Sequence, residues 1–280
     1  MPLFTTTELR EALNLIPYWL QTARISVGHI KALRFNFGDH PKQYFILMMP
    51  EKELVVKDKV ILYYHGGGWR AGSPEMFKAN AKVFLEKGYP VIMPSYRRAP
   101  KYNYQAIRED LSACLQKMQE VLPKFSLAEH KIVLGGMSAG GNLVALIGYD
   151  RESLATLGLS QKMFAGIFLC GAPLDLNGMR DSFPLLDFTG NREKPMFQQA
   201  NPINYLQAKE HFPLLFIHGT KDGFVPFDSA YNFIKKFKVN NAALLTEFII
   251  NEGSHLDAGN WVYYDRQLRK RILSWLQELD

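Results

Sequence analysis

The segment that most constrains the fold is Gly-Met-Ser-Ala-Gly at residues 136–140. It follows a short apolar run at residues 131–134 and precedes a stretch of small residues with helical character. A G-x-S-x-G motif between a strand and a helix is typical of a sharp turn that lifts the serine hydroxyl above a sheet. We therefore predict that Ser138 is a catalytic nucleophile. The alternative is a glycine-rich turn that only packs a helix on a strand.

From residue 60 onward, short apolar runs alternate with helical patterns. The predicted strands are residues 60–64, 89–93, 131–134, 164–170, 214–218 and 244–250, and the predicted helices are residues 75–87, 106–121, 227–237 and 261–279. Near-continuous apolar strands between helices predict an α/β fold with a mostly parallel central sheet covered by helices on both faces. Residues 29–37 and 43–49 predict an antiparallel hairpin at its N-terminal edge.

The length of 280 residues and the absence of repeats favour a single α/β domain over residues 1–280. Residues 1–28 are predicted to form an N-terminal helical segment, with Thr5 and Glu8 as a capping box and a kink or split at Pro17. Residues 175–210 break the alternation and have weak periodicity. Because an excursion of this length usually covers a site, we predict that both segments contribute to a small cap.

A second motif, His65-Gly66-Gly67-Gly68-Trp69, directly follows the first parallel strand. Consecutive glycines leave backbone N–H groups open to an anion with no side chain in the way. We predict that the N–H groups of Gly67, Gly68 and Ala139 form an oxyanion hole, and that the ring of His65 braces the loop. A flexible glycine-rich loop is the alternative.

A serine nucleophile needs a general base and an acid that orients it. His255 lies between the last strand and the last helix, at the same edge of the sheet as Ser138, and is the predicted base. Asp222 leaves the preceding strand at that edge and is the predicted acid; Asp175 and Asp257 are its rivals. The remaining histidines are interpreted as structural or surface residues: His29, His40, His65, His130, His211 and His218.

Charge and composition exclude some partners. The net charge is +6, but the 33 Lys and Arg residues are spread along the chain without a block, so we predict no nucleic-acid partner. No apolar stretch reaches membrane-spanning length, and residues 1–11 lack the pattern of a signal peptide. We therefore expect a cytoplasmic protein. Cys114 and Cys170 lie in apolar stretches and are predicted to be buried free thiols.

Taken together, these motifs resemble the hormone-sensitive-lipase-like esterase and carboxylesterase branch of the α/β-hydrolase superfamily. The resemblance runs from about residue 60 to the C-terminus and also includes Ser95-Tyr96-Arg97-Arg98-Ala99-Pro100 and Gly219-Thr220-Lys221-Asp222. The sequence departs from the family at Met137, where an acidic residue often precedes the serine. It also has Arg98 and Lys101 where the family usually has Leu and Glu.

The resemblance implies an α/β-hydrolase fold and a serine hydrolase that cleaves small or short-acyl carboxylic esters through an acyl-enzyme, with no metal or cofactor. The implied partner is a small-molecule ester, and a homo-oligomer is compatible with the sequence. Trp69 and Met137 are predicted to contact substrate. Two alternatives stay open: an arylformamidase-like or sugar-acetyl-esterase-like relative, and a non-catalytic ligand-binding protein on the hydrolase scaffold.

Overall fold

The computed structural model describes residues 6–263 and 265–279, and within them one eight-stranded sheet forms the centre of the molecule. The strands are β1 (Ala32–Asn36), β2 (Tyr44–Met48), β3 (Lys59–Tyr64), β4 (Val91–Pro94), β5 (Lys131–Met137), β6 (Phe164–Cys170), β7 (Leu214–Gly219) and β8 (Leu245–Ile250). Each predicted strand is present, with ends that differ by up to three residues. The largest differences, of three residues, are at the start of β1 and at the end of β5, which runs on to Met137 at the serine motif.

The strand order is β1-β2-β4-β3-β5-β6-β7-β8. β2 pairs antiparallel with both β1 and β4, and every other pairing is parallel. The predicted mostly parallel sheet with an antiparallel edge hairpin is therefore confirmed. Because the strands from β3 to β8 all run in one direction, the loops at their carboxyl ends meet at one edge of the sheet.

The helices are α1 (Thr6–Ala23), α2 (Lys78–Leu85), α3 (Tyr104–Val121), α4 (Ala139–Tyr149), α5 (Arg151–Thr156), α6 (Phe183–Thr189), α7 (Pro195–Gln199), α8 (Phe227–Asn241) and α9 (Arg266–Gln277). The helix predicted at residues 261–279 starts later, because a 3₁₀ helix occupies Leu256–Val262 and Asp265 caps α9 by accepting a hydrogen bond from the N–H of Leu268. In the described part of the chain, no helix is long and apolar enough to cross a membrane.

Two apolar clusters cover the two faces of the sheet. Neighbouring residues of β3 show the division: Leu62 belongs to the cluster that packs against α3, α4 and α8, whereas Ile61 belongs to the cluster that packs against α2 and α9. Both residues are fully buried. Because successive side chains of a strand point to opposite faces, a strand covered on both sides must be apolar at every position. This explains the near-continuous apolar runs in the sequence.

The N-terminal helix differs from its prediction. The helix α1 continues through Pro17 without being split, since an interior proline removes one backbone hydrogen bond and leaves the others in place. Thr5, half of the predicted capping box, lies outside the described residues. The apolar residues at helical spacing are exposed to solvent: Leu9, Leu13, Ile16 and Leu20. The opposite face is buried instead and carries Glu11, Tyr18 and Thr22.

The excursion at residues 175–210 consists of short helices: α6, α7 and 3₁₀ helices at Leu176–Gly178 and Pro202–Tyr205. Three of the four begin with proline at the first or second position, which favours the start of a helix. Leu185, Phe188 and Phe197 are fully buried. These three side chains therefore form the packed interior of the segment.

Candidate active site

Ser138 occupies the junction between β5 and α4. Its backbone has φ 54° and ψ −127°, a conformation that a residue with a side chain rarely adopts. The N–H of Ser138 donates a hydrogen bond to the carbonyl oxygen of Cys170, at the end of β6, over 2.8 Å. The tight turn is therefore fixed to the neighbouring strand, as in a nucleophile elbow.

The glycines of the motif allow the backbone segments to approach closely. A Cβ built on Gly140 would lie 2.1 Å from the carbonyl oxygen of Tyr64 in β3. A Cβ built on Gly136 would lie 2.5 Å from the carbonyl oxygen of Gly140. Neither distance can be accommodated without moving backbone, so α4 can start directly above β3 and β5 only if both positions are glycine.

His255 and Asp222 form a hydrogen-bonded pair in the loops that follow β8 and β7. The Nδ1 atom of His255 lies 2.8 Å from Oδ2 of Asp222, and both side chains are buried. The other carboxylate oxygen, Oδ1, accepts hydrogen bonds from the N–H groups of Phe224, over 2.9 Å, and Val225, over 2.7 Å. The carboxylate is therefore held in a single orientation, with Oδ2 turned toward the imidazole.

The surroundings of His255 change the pKa of its imidazole. Burial lowers the pKa of His255, but the charge and hydrogen bond of Asp222, with a smaller contribution from the charge of Glu11, outweigh it and raise the pKa above its usual range. A second histidine, His218, lies 3.3 Å from Asp222 and bonds to the carbonyl oxygen of Val225. Burial lowers the pKa of His218, so it stays neutral beside the carboxylate.

The serine turn and the His–Asp pair meet around Gly171. This residue follows Cys170, whose carbonyl accepts the N–H of Ser138. A Cβ built on Gly171 would lie 3.2 Å from Nδ1 of His255 and 3.5 Å from Oδ2 of Asp222. The structure therefore places the three predicted residues Ser138, Asp222 and His255 around one short backbone segment at the carboxyl edge of the sheet.

The rival carboxylates are engaged elsewhere. Asp175 accepts hydrogen bonds from the backbone and side chain of Asn177 and from the side chains of Asn201 and Asn232. Asp257 accepts from the N–H and hydroxyl of Ser254 and from the side chain of Asn260. Both carboxylates are therefore occupied by other donors, and Asp222 is the one that accepts a hydrogen bond from Nδ1 of His255.

The backbone of the glycine loop has positive φ angles at three consecutive residues. Gly67, Gly68 and Trp69 have φ angles of 123°, 58° and 58°. A Cβ built on Gly66 would lie 3.4 Å from Cβ of Ser138, so the loop passes directly beside the serine. Over residues 6–263 and 265–279, the N–H groups of Gly67, Gly68 and Ala139 donate no hydrogen bond. These three N–H groups are therefore unpaired donors in the serine turn and in the loop beside it.

The ring of His65 supports this loop from behind. It stacks against Phe77 at 5.3 Å and against Tyr96 at 5.1 Å between ring centroids, and its Nδ1 lies 2.7 Å from the carbonyl oxygen of Gly66. Burial lowers the pKa of His65 to about 4, so the ring is neutral and Nδ1 is the donor of that bond. This arrangement fits the predicted bracing role.

The two residues predicted to contact substrate lie in packed surroundings. Trp69 is 3% exposed and stacks on Phe188 of α6, with ring centroids 4.3 Å apart and planes 5° from parallel. Met137 is 4% exposed and lies against Gly259. Their contact with substrate stays a prediction, whereas the Trp69–Phe188 stack joins the glycine loop to the cap segment.

Three residues near the site belong to no sequence motif that would have identified them. Glu11, on α1, accepts a hydrogen bond from the N–H of His255 over 2.7 Å. The ring of Phe224 meets the ring of His255 edge to face, with centroids 5.3 Å apart, and Gly171 lies against the His–Asp pair. A motif search finds none of them, because each acts through a contact that only the folded chain creates.

The two cysteines, Cys114 and Cys170, are free and fully buried. Burial raises the pKa of both thiols to about 12, so neither is a reactive thiolate near neutral pH. In the described residues, no group of three or more His, Cys, Asp or Glu side chains is arranged to hold a metal ion.

Known proteins with similar sequences or structures include esterases and deacetylases. The model of the BD-FAE family matches residues 47–237. Arylacetamide deacetylase of Mus musculus is 24% identical over 88% of this chain and 55% of its own length. Esterase LipC of Mycobacterium tuberculosis is 24% identical over 75% of this chain and 56% of its own length. The chain thus spans about half the length of these curated relatives.

Among solved structures, esterase B from Lactobacillus rhamnosis superimposes with a TM-score of 0.77 at 18% identity. The match covers 97% of this chain and 92% of the esterase chain. At this identity the likeness concerns the fold, including the mostly parallel sheet, its antiparallel edge pair and the flanking helices.

Proposed function

The chain belongs to the BD-FAE family of α/β-hydrolases, and we propose that it hydrolyses carboxylic esters with a catalytic triad of Ser138, His255 and Asp222. The observation that carries the proposal is the 2.8 Å hydrogen bond between His255 and Asp222 at the same edge of the sheet as the strained Ser138 turn. A motif alone would leave the base and the acid undetermined. This pairing provides a base oriented by an acid, which a serine nucleophile requires.

In the first step, Oγ of Ser138 attacks the carbonyl carbon of the ester, and Nε2 of His255 takes the hydroxyl proton. The other ring nitrogen, Nδ1, keeps its proton and donates a hydrogen bond to Asp222, so Nε2 carries the lone pair that a base needs. The carboxylate stabilises the imidazolium that forms. His255 then gives its proton to the departing alcohol, which leaves an acyl group on Ser138.

In the second step, water attacks the acyl-enzyme while His255 removes a proton from the water; His255 then returns this proton to Oγ of Ser138 as the carboxylic acid is released. In both steps the negative charge on the carbonyl oxygen is stabilised by the N–H groups of Gly67, Gly68 and Ala139. These donors have no partner among the described residues and belong to the serine turn and to the loop that passes beside it. Each such donor typically contributes about 3 kcal/mol to transition-state stabilisation. No metal or cofactor takes part in this scheme.

We propose a small or short acyl group as the substrate. A Cβ built on Gly68 would lie 3.4 Å from Cβ of Pro184, so the cap helix α6 reaches the glycine loop that receives the carbonyl. Stacking of Trp69 on Phe188 holds the helix there. Little room is left on this side of the serine, which favours compact acyl groups over long chains.

Amide hydrolysis by the same triad is the second candidate. It is favoured by the name of one relative, arylacetamide deacetylase, because an arylacetamide is an amide. An amine leaves less readily than an alcohol, so the amide reaction depends more on protonation of the leaving group by His255. Matched ester and amide substrates with the same acyl group separate the two candidates.

Labelling with a fluorophosphonate tests the proposed nucleophile directly, because the reagent bonds only to an activated serine. We expect the wild-type chain to be labelled and the Ser138→Ala variant to stay unlabelled. Ser112→Ala, which removes a serine from helix α3, is the matched control and should be labelled as fast as the wild type. Equal labelling of the Ser138→Ala variant would contradict the assignment.

A further inference from the structure

Glu11 lies at the centre of contacts between the N-terminal helix and the site. Its side chain is buried, although it belongs to a helix whose apolar residues largely face solvent. One carboxylate oxygen, Oε1, accepts hydrogen bonds from the N–H of His255 over 2.7 Å and from the N–H of Gly223 over 3.2 Å. Gly223 directly follows Asp222. One oxygen atom therefore joins the loop of the base to the loop of the acid.

Burying a carboxylate at this position is energetically unfavourable if the side chain serves only to pack the helix. Buried acidic side chains are rare, and removing a charge from water is unfavourable unless hydrogen bonds compensate. The second oxygen of Glu11, Oε2, is buried and has no hydrogen-bond partner among the described residues. The two backbone N–H groups are therefore the contacts that hold the carboxylate, and bonds from N–H groups to a charged acceptor are among the stronger hydrogen bonds in proteins.

We propose that Glu11 is a positioning residue, which fixes the loops of Asp222 and His255 relative to each other so that the imidazole faces Ser138. The inference rests on the proposed esterase function. The loops follow separate strands, β7 and β8, and Glu11 reaches both from α1, more than 200 residues away along the chain. No motif in the sequence connects these three segments.

The effect of such a contact is expected in catalysis rather than in substrate binding. His255 must keep Nδ1 on Asp222 and turn Nε2 to Ser138 at the same time. Because a displacement of about 1 Å can reduce a rate about 100-fold, an anchor on the His255 backbone bears directly on proton transfer. Loss of that anchor should therefore lower kcat and leave KM nearly unchanged.

The charge of Glu11 provides a second readout. The titratable groups that face His255 are Asp222 on the β7 loop and Glu11 on α1; the ring of His218 approaches the same oxygen of Asp222, and Asp257 is bonded to Ser254. The charge of Glu11 contributes to the raised pKa of His255. Removing that charge lowers the pKa, so the acid limb of kcat/KM should move to lower pH.

The experiment compares Glu11→Ala and Glu11→Gln in the full chain. Glutamine keeps a carbonyl oxygen that can accept both N–H groups, whereas alanine keeps none. At pH 8.5 we expect kcat to fall about 10-fold or more in the alanine variant and to stay within about 3-fold of wild type in the glutamine variant. The glutamine variant should show the acid limb at lower pH. Glu252→Gln, an exposed acidic residue in the His255 loop, is the charge-matched control and should change neither.

Three results would overturn the inference. Wild-type kcat in folded Glu11→Ala would show that the contact does not position the pair. Equal losses in both variants would show that the acceptor oxygen is not what matters. An unshifted acid limb in Glu11→Gln would show that the charge does not act on His255. This pH profile can be measured even if the Glu11→Ala variant does not fold. Fluorophosphonate labelling of the wild type tests the proposed function separately.

Discussion

Nδ1 of His255 lies 2.8 Å from Oδ2 of Asp222, although 33 residues separate the two along the chain. The strands before them, β7 and β8, are parallel neighbours, so their carboxyl ends bring both loops to the same edge of the sheet. Two backbone N–H groups fix the other oxygen of Asp222. The imidazole is therefore oriented by a carboxylate that is itself held in place, independently of any substrate.

Replacing Asp222 by Asn should remove most of the activity while the fold stays intact. The amide can keep the loop hydrogen bonds, but it no longer stabilises the imidazolium and can favour the wrong tautomer of His255. From other serine hydrolases we expect kcat to fall about 10⁴-fold. Asp257→Asn is the control: it alters a neighbouring carboxylate that does not contact the His255 ring. A smaller loss in the Asp222 variant than in the control would contradict the assignment of the acid.

The pH dependence of kcat/KM should report the protonation of His255. The base must be neutral, and its pKa is raised, so activity should fall as the pH drops through a value above the usual histidine pKa of about 6.5. Initial rates from pH 5 to pH 9 with one soluble ester measure this limb. A midpoint below the usual value would mean that the negative charges do not act on the base as described.

Replacing Gly140 by Ala should destabilise the protein and abolish activity. The new Cβ would lie 2.1 Å from the carbonyl oxygen of Tyr64, so α4 must move away from β3 and carry the serine turn with it. Crowding of this kind typically costs about 1–3 kcal/mol of unfolding free energy. Urea denaturation measures the loss. Gly28→Ala is the matched control, because nothing lies within 4 Å of the added carbon; a similar loss there would remove the steric explanation.

The stack of Trp69 on Phe188 should couple the glycine loop to the cap. Their ring planes are 5° from parallel with centroids 4.3 Å apart. In a double-mutant cycle of Trp69→Leu and Phe188→Leu, we expect a coupling of about 1 kcal/mol in unfolding free energy. Strict additivity of the two single changes would show that the cap does not dock through this contact.

The sequence predicted the sheet well because the rule that shapes it is local. A strand covered on both faces must be apolar throughout, so β3 and β6 could be located within a residue. The family resemblance and the α/β-hydrolase fold are confirmed by the comparisons. The G-x-S-x-G motif also located the serine turn, since its glycines are required by backbone contacts that any such turn makes.

The N-terminal helix shows where sequence reasoning fails. Apolar residues at helical spacing predict that a helix exists, and α1 does, but they do not predict which face is buried. Here Leu9, Leu13, Ile16 and Leu20 are exposed, whereas Glu11 is buried, because the neighbouring loops offer N–H donors to a carboxylate. Such a contact depends on the arrangement of distant segments, which periodicity along one helix does not encode.

Hydrolysis of p-nitrophenyl esters from acetate to laurate, with the wild type and Ser138→Ala purified in parallel, tests the central claim most directly. The account predicts cleavage by the wild type that is fastest with short acyl chains, and loss of this cleavage in the variant with an unchanged circular dichroism spectrum. Cleavage by Ser138→Ala at the wild-type rate, or no cleavage of any ester by the folded wild type, would contradict it.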